Sequence, residues 1–144
     1  MNRFLAFIIL MILCVGCSKK NTPVPVPTTA SIVGTWYVTT DTLTTYVKGV
    51  AGSPYITNFN HSAYMTFKND GTGSLYNGDH LSFTYTLSGK TAVINYAAQT
   101  GAYVAPPYTQ TSDIKQLDAN NLYMVIGSPS LTTNVDVESI RFAK

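Results

Sequence analysis

Cysteine is the first scarcity. The chain has two, Cys14 and Cys17, both near the start. The remainder has none, so disulfides cannot staple it and its stability must come from a packed core. Charge is also thin, with only 11% Asp, Glu, Lys and Arg. From Thr28 onward six Lys/Arg stand against seven Asp/Glu, so there is no basic face to neutralise phosphates and nucleic acid is excluded as a partner. No segment of 31–144 sustains a 3.6-residue apolar repeat, which argues against amphipathic helices. Catalytic signatures are missing as well. There is no Gly-x-Ser-x-Gly and no phosphate loop. His61 and His80 form no metal-spaced cluster, and no cysteine is available to join them. Asp70, Asp79 and Asp118 fall in turn sequences, where Asp bonds its own backbone. The expectation is a chain with no catalytic residues, no metal and no cofactor, and not an enzyme.

What is present begins with an export signal. Asn2 and Arg3 precede an unbroken apolar run over 4–13. The run is too short to span a bilayer, which takes about 20 apolar residues, but it suits the apolar region of a secretory signal. Val15-Gly16-Cys17 follows and resembles a bacterial lipobox, although Cys14 stands where such boxes prefer Leu. The expected organisation is a signal peptide over 1–16, a lipid anchor on Cys17 with a Pro-rich tether over 17–30, and a domain over 31–144. An ordinary secretory signal with a coincidental cysteine is the alternative. Pro23, Pro25 and Pro27 alternate with valine and threonine, a pattern for an extended spacer at about 3.1 Å per residue. Ser18-Lys19-Lys20 carries no acidic run. The expected location is the cell envelope, lipid-anchored at the outer membrane, on the periplasmic face rather than the cell surface.

The domain reads as strands joined by tight turns. The first covers 32–40, with Gly34, Trp36 and Val38 on one face, and 42–47 continues it or forms a second. A loop over 48–54 precedes a short strand over 55–59. Ala63, Met65 and Phe67 share one face of 62–68. Asn69-Asp70-Gly71 is a hairpin signal, since Asp-Gly supplies the positive φ such turns need. Leu81, Phe83, Tyr85 and Leu87 alternate with Ser and Thr. Strands over 91–96, 108–117, 122–126 and 133–142 complete the run. In the last of these Val135, Val137, Ser139 and Arg141 share parity against Ile140 and Phe142, which requires a covered outer face or a bulge near Ser139. Eight or nine strands with short connections predict an all-β, antiparallel up-and-down meander. Closing it into a small barrel removes both sheet edges.

Val33-Gly34-Thr35-Trp36 resembles the Gly-x-Trp signature of the lipocalin superfamily. Arg141 is similar to the basic residue that packs across that tryptophan. The segments 67–73 and 114–122 are similar to parts of small lipocalin-like lipoproteins of Gram-negative bacteria. The resemblance covers nearly all of 31–144, though the chain is shorter than typical lipocalins and lacks a disulfide and a C-terminal helix pattern. It implies an eight- to nine-stranded lipocalin-like barrel, with Gly34, Trp36 and Arg141 closing one end as structural residues. An arginine on the indole would contribute about 0.5–2 kcal/mol.

The resemblance also implies a monomer that binds a small hydrophobic or amphipathic ligand, with the membrane as its other partner through the N-terminal lipid. Candidate ligand-binding residues are the interior Met65, Phe67, Phe83 and Tyr85, and Tyr103 and Tyr108 from the long loop 97–108. That loop either lids the barrel or caps the core. A filled barrel whose tyrosine-rich exterior docks an envelope protein or a glycan is the alternative.

Overall fold

The computed structural model describes residues 30–99 and 106–144. The expected signal, Cys17 and the tether to residue 29 lie outside these, as do Tyr103 and the rest of 100–105. The described residues form ten strands and no helix: β1 (Gly34–Val47), β2 (Val50–Ala51), β3 (Tyr55–Asn58), β4 (Tyr64–Phe67), β5 (Thr72–Tyr76), β6 (His80–Ser88), β7 (Thr91–Tyr96), β8 (Tyr108–Leu117), β9 (Asn121–Ile126) and β10 (Asn134–Ala143). All pairings are antiparallel.

Eight strands make the barrel. β1 and β4 to β10 follow one another around the wall, and β10 returns to β1 to close it. The pairing of β1 with β10 runs almost the full length of both strands, from Tyr37↔Ala143 to Val47↔Asn134. β2 and β3 are extra. β1 is one 14-residue strand rather than two, and only its first half pairs with β4. Its second half projects past β4 and would leave a bare edge. β3 covers that edge from Thr40↔Asn58 to Leu43↔Tyr55. The expected loop 48–54 contains β2, which folds back on Val47 through a two-residue turn. Lys48 and Gly49 both have positive φ there (47° and 82°), as a tight hairpin turn demands.

The core fills the lower half of the barrel. Trp36 is wholly buried and heads a cluster with Ile32, Phe67, Phe83, Ile94, Leu122 and Met124 among others. The alternation in β6 places Leu81 and Phe83 inside, leaves Tyr85 half-buried and Leu87 emerging at the base, near Ile32. Aromatic edges lock these together: Phe67 meets Phe83 at 5.3 Å and Tyr85 at 5.0 Å between centroids. Gly73 makes this close approach feasible, because a Cβ there would run into the Phe83 ring and the Thr66 carbonyl.

Of the two expectations for the last strand, the covered outer face holds at Val137, and no bulge occurs near Ser139. β10 pairs evenly with β9, and the extra residue sits in β1 between Val38 and Thr40. Phe142, Ile140 and Glu138 therefore point inward without interruption. Val137 is buried on the opposite face, against Gly127.

Candidate functional site

The two ends of the barrel differ in what fills them. At the base, the chain approaches through Ile32, whose carbonyl accepts a 2.6 Å hydrogen bond from the Trp36 indole Nε1. This satisfies the one polar atom of a fully buried ring. Gly34 turns the chain with φ of 130°, a conformation that side chains with a Cβ disfavour. The cation over the indole is Lys144, with Nζ 4.4 Å from the ring. Arg141, expected at this position, points outward instead and covers Tyr123 at 4.4 Å. The reason is parity: Arg141 is one residue out of phase with Phe142, which takes the interior position in β10.

The upper half holds a cavity of about 210 Å³. Its floor is apolar, made by Val38, Met65, Met124 and Phe142. Leu75, Ile140 and Phe59, the last just beyond β3, form its sides. It reaches solvent beside Asn77 and Tyr108, both exposed. Tyr108 stacks on Tyr96, with centroids 4.6 Å apart and planes 20° from parallel. Gln110 lies on the same wall and donates to the fully buried Ser112 at 3.2 Å.

Two carboxyls complete the lining. The extra residue in β1 turns Asp41 inward, where simple alternation from Trp36 would have turned it out. Glu138 projects beside it from β10: Asp41 faces Ile140, and Glu138 is one inward position further along. Burial pushes the Asp41 carboxyl above its ordinary range. Burial, and then the neighbouring Asp41 charge, push Glu138 up as well. Asp41 Oδ1 is closed off from solvent and no N–H or hydroxyl donor reaches it, the one such buried side-chain atom among the described residues. The Glu138 carboxyl lies within hydrogen-bond reach of the Asp41 carboxyl, an interaction that lowers Asp41 and raises Glu138, so the pair can share one proton. Burial also raises the phenols, Tyr96 most strongly, and Glu138 adds to this at both Tyr96 and Tyr108.

Of the six ligand-binding candidates, Met65 and Tyr108 line the cavity. Phe67 and Phe83 belong to the packed core beneath it. Tyr85 sits toward the base, where its hydroxyl donates to the Lys68 carbonyl at 2.7 Å. Tyr103 lies outside the described residues. Sequence reasoning missed Asp41, Glu138, Tyr96 and Gln110. Tyr96 was legible as the inward end of β7, since Ala92, Ile94 and Tyr96 alternate. Asp41 was not, because its orientation depends on the bulge.

Chemically, the arrangement is a container with a polar rim. Among the described residues no group of three or more His, Cys, Asp or Glu could hold a metal ion. Two carboxyls over an apolar floor fall short of the six to eight oxygens that a calcium site uses.

A model of a lipocalin-like domain matches residues 32–124, more than half of the chain. No curated protein and no solved structure matches the chain. The match spans β1 to the middle of β9, and the remaining wall is the β10 that closes the barrel. The chain belongs to the lipocalin-like domain family.

Proposed function

We propose that the protein is a binding module for a small amphipathic molecule held in the upper cavity, tethered to the cell envelope by a lipid on Cys17. The observation that carries the binding reading is the cavity itself. Its 210 Å³ exceed the roughly 150 Å³ that accepts a benzene ring in a dry protein cavity, so it suits a compact ligand rather than a long acyl chain. Apolar walls with a few converging polar groups are the usual make-up of small-molecule sites. Asp41 and Glu138 are a pair of carboxyls that could exchange a proton, but no Ser, Thr, Cys or Lys among the described residues lines the cavity beside them, and no catalytic role is proposed.

Native mass spectrometry of the gently isolated chain tests the binding. A co-purifying small molecule, lost in a Val38→Phe variant that fills the floor, is the expected result. An empty protein that also fails to take up small amphiphiles would refute it. Membrane attachment is tested by Cys17→Ser, which should release the chain into the soluble fraction, whereas persistence with the outer membrane would count against acylation.

A docking role is the second reading. Val47, Val50, Tyr55, Ile56 and Leu131 are exposed around β2, β3 and the segment before β10, and apolar groups of this kind mark contact surfaces. A single envelope protein cross-linking through a photoreactive group at Tyr55, with the cavity empty, would favour it. The outer row of Tyr37, Tyr64, Tyr76 and His80 supports neither reading. Those residues are direct cross-strand neighbours, and each ring lies 4.8–5.8 Å from the next. They pack on one another, as cross-strand aromatic pairs do to stabilise a sheet.

A further inference from the structure

The cavity's charge goes beyond that reading and defines the class of ligand. The geometry points to a small organic cation, a protonated amine on a compact apolar body, with its ammonium against the Asp41–Glu138 carboxyl pair and its body against Val38, Met65 and Met124. This rests on the cavity being the binding site.

Three observations converge. First, no Lys, Arg or His among the described residues lines the cavity, so a proton shared by Asp41 and Glu138 still leaves the pair with a negative charge that no cationic side chain among the lining residues balances. The segment 100–105 between β7 and β8 reads Thr-Gly-Ala-Tyr-Val-Ala and has no cation to supply. Second, Asp41 Oδ1 is occluded and no N–H or hydroxyl donor reaches it. A buried acceptor left unpaired is costly, and an ammonium, with three donors and a charge, is the group that relieves it best. Third, the Tyr96–Tyr108 stack stands on the same wall, and aromatic rings add attraction for an organic cation. The apolar floor fixes the rest. A bare metal ion would leave it unused, and a carboxylate ligand would be repelled by the rim. The upward displacement of both carboxyls fits a site whose countercharge arrives with its ligand.

Isothermal titration of the full chain carrying Cys17→Ser tests this with three probes of one shape: 2-phenylethylamine, 2-phenylethanol and phenylacetate. At about pH 7.5 the amine should bind roughly tenfold or more tightly than the alcohol, and phenylacetate weakest, as expected for a desolvated ion pair. In Asp41→Asn/Glu138→Gln the amine and the alcohol should converge, with thermal melts confirming the fold. If that variant does not fold, the unmodified cavity decides. Lowering the pH to about 3, below the ordinary carboxyl range, protonates the carboxyls while the amine stays charged, so its advantage over the alcohol should collapse. Tyr96 and Tyr108, the other titratable groups facing the site, are held upward and stay neutral throughout. An alcohol that binds as well as the amine, or an amine preference that survives neutralisation, would overturn the cation class and leave the binding reading intact. Failure of all three probes, with a neutral or anionic molecule co-purifying, would also remove only the cation class. Failure of all three with an empty protein would remove both.

Discussion

Lys144 Nζ lies 4.4 Å from the Trp36 ring, while Arg141, three residues earlier, covers Tyr123 at the same distance. The last residue of the chain, not the arginine, caps the indole. Lys144→Ala should therefore cost about 0.5–1 kcal/mol, the range for an exposed cation on an aromatic face, and should shift the Trp36 emission. Arg141→Ala should leave that emission unchanged. Urea melts followed by tryptophan fluorescence separate the two, and a larger spectral change in the arginine variant would reverse the assignment.

Gly73 predicts a packing defect. Its missing Cβ is the space occupied by the Phe83 ring and the Thr66 carbonyl. Gly73→Ala must displace a buried aromatic and part of the β4–β5 ladder, at about 1–3 kcal/mol as for other overpacked sites. Phe83→Leu should recover only part of this, since the carbonyl contact remains. A chemical-denaturation midpoint equal to wild type would show that β5 shifts freely.

The cavity carboxyls predict a stability that falls as pH rises. For Asp41 and Glu138 the folded state holds its proton more tightly than the unfolded chain. Ionisation therefore weakens the fold as pH climbs from the ordinary carboxyl range near pH 4 through the raised folded values. Asp41→Asn/Glu138→Gln removes that cost. Solvent screening keeps the gain small, about 1–3 °C in Tm at neutral pH, vanishing near pH 4. A Tm that falls in the variant at neutral pH would mean the carboxyls hold the fold together.

Asp118 behaves in the opposite sense. It accepts from the backbone N–H groups of Asn120 and Asn121 at 2.9 and 2.8 Å and from Gln116 Nε2 at 2.7 Å. These bonds hold its carboxyl down at about 2. Its contribution is present above the unfolded value near 4 and is lost as pH falls toward 2. Carboxyl titration by NMR should find it still ionised where the average Asp is half protonated. Titration at the ordinary value would mean that this turn is open in solution.

These contrasts show what the sequence made legible. Asp118 and Asp70 were readable as turn residues, because short polar side chains bond the next backbone groups wherever they occur; Asp70 accepts from Thr72 N and Oγ1. The alternation of β6 and the glycine before Trp36 placed the wall and the indole. Lys144 shares the parity of Phe142 and continues the inward face of β10, so it was readable at the base, but the resemblance pointed to the arginine of the last strand instead. The acidic rim was hidden for a different reason. One inserted residue between Val38 and Thr40 reverses every later position of β1, and a run of Thr, Asp and Leu gives no signal of where a bulge falls. The length of β1 was likewise concealed, since Thr42–Val47 reads equally as a second strand and as a continuation.

The polypeptide comes in at the end of the molecule that the indole plugs, with Ile32 bonded directly to Trp36. Whatever holds the molecule upstream of Ala30 holds it by its foot. Under the proposed anchoring through Cys17, the acidic mouth would lie at the end away from the bilayer, and cargo would be collected from water rather than drawn from the membrane. A solute with a charged head and a modest greasy body can make that journey unaided, and an oily one cannot.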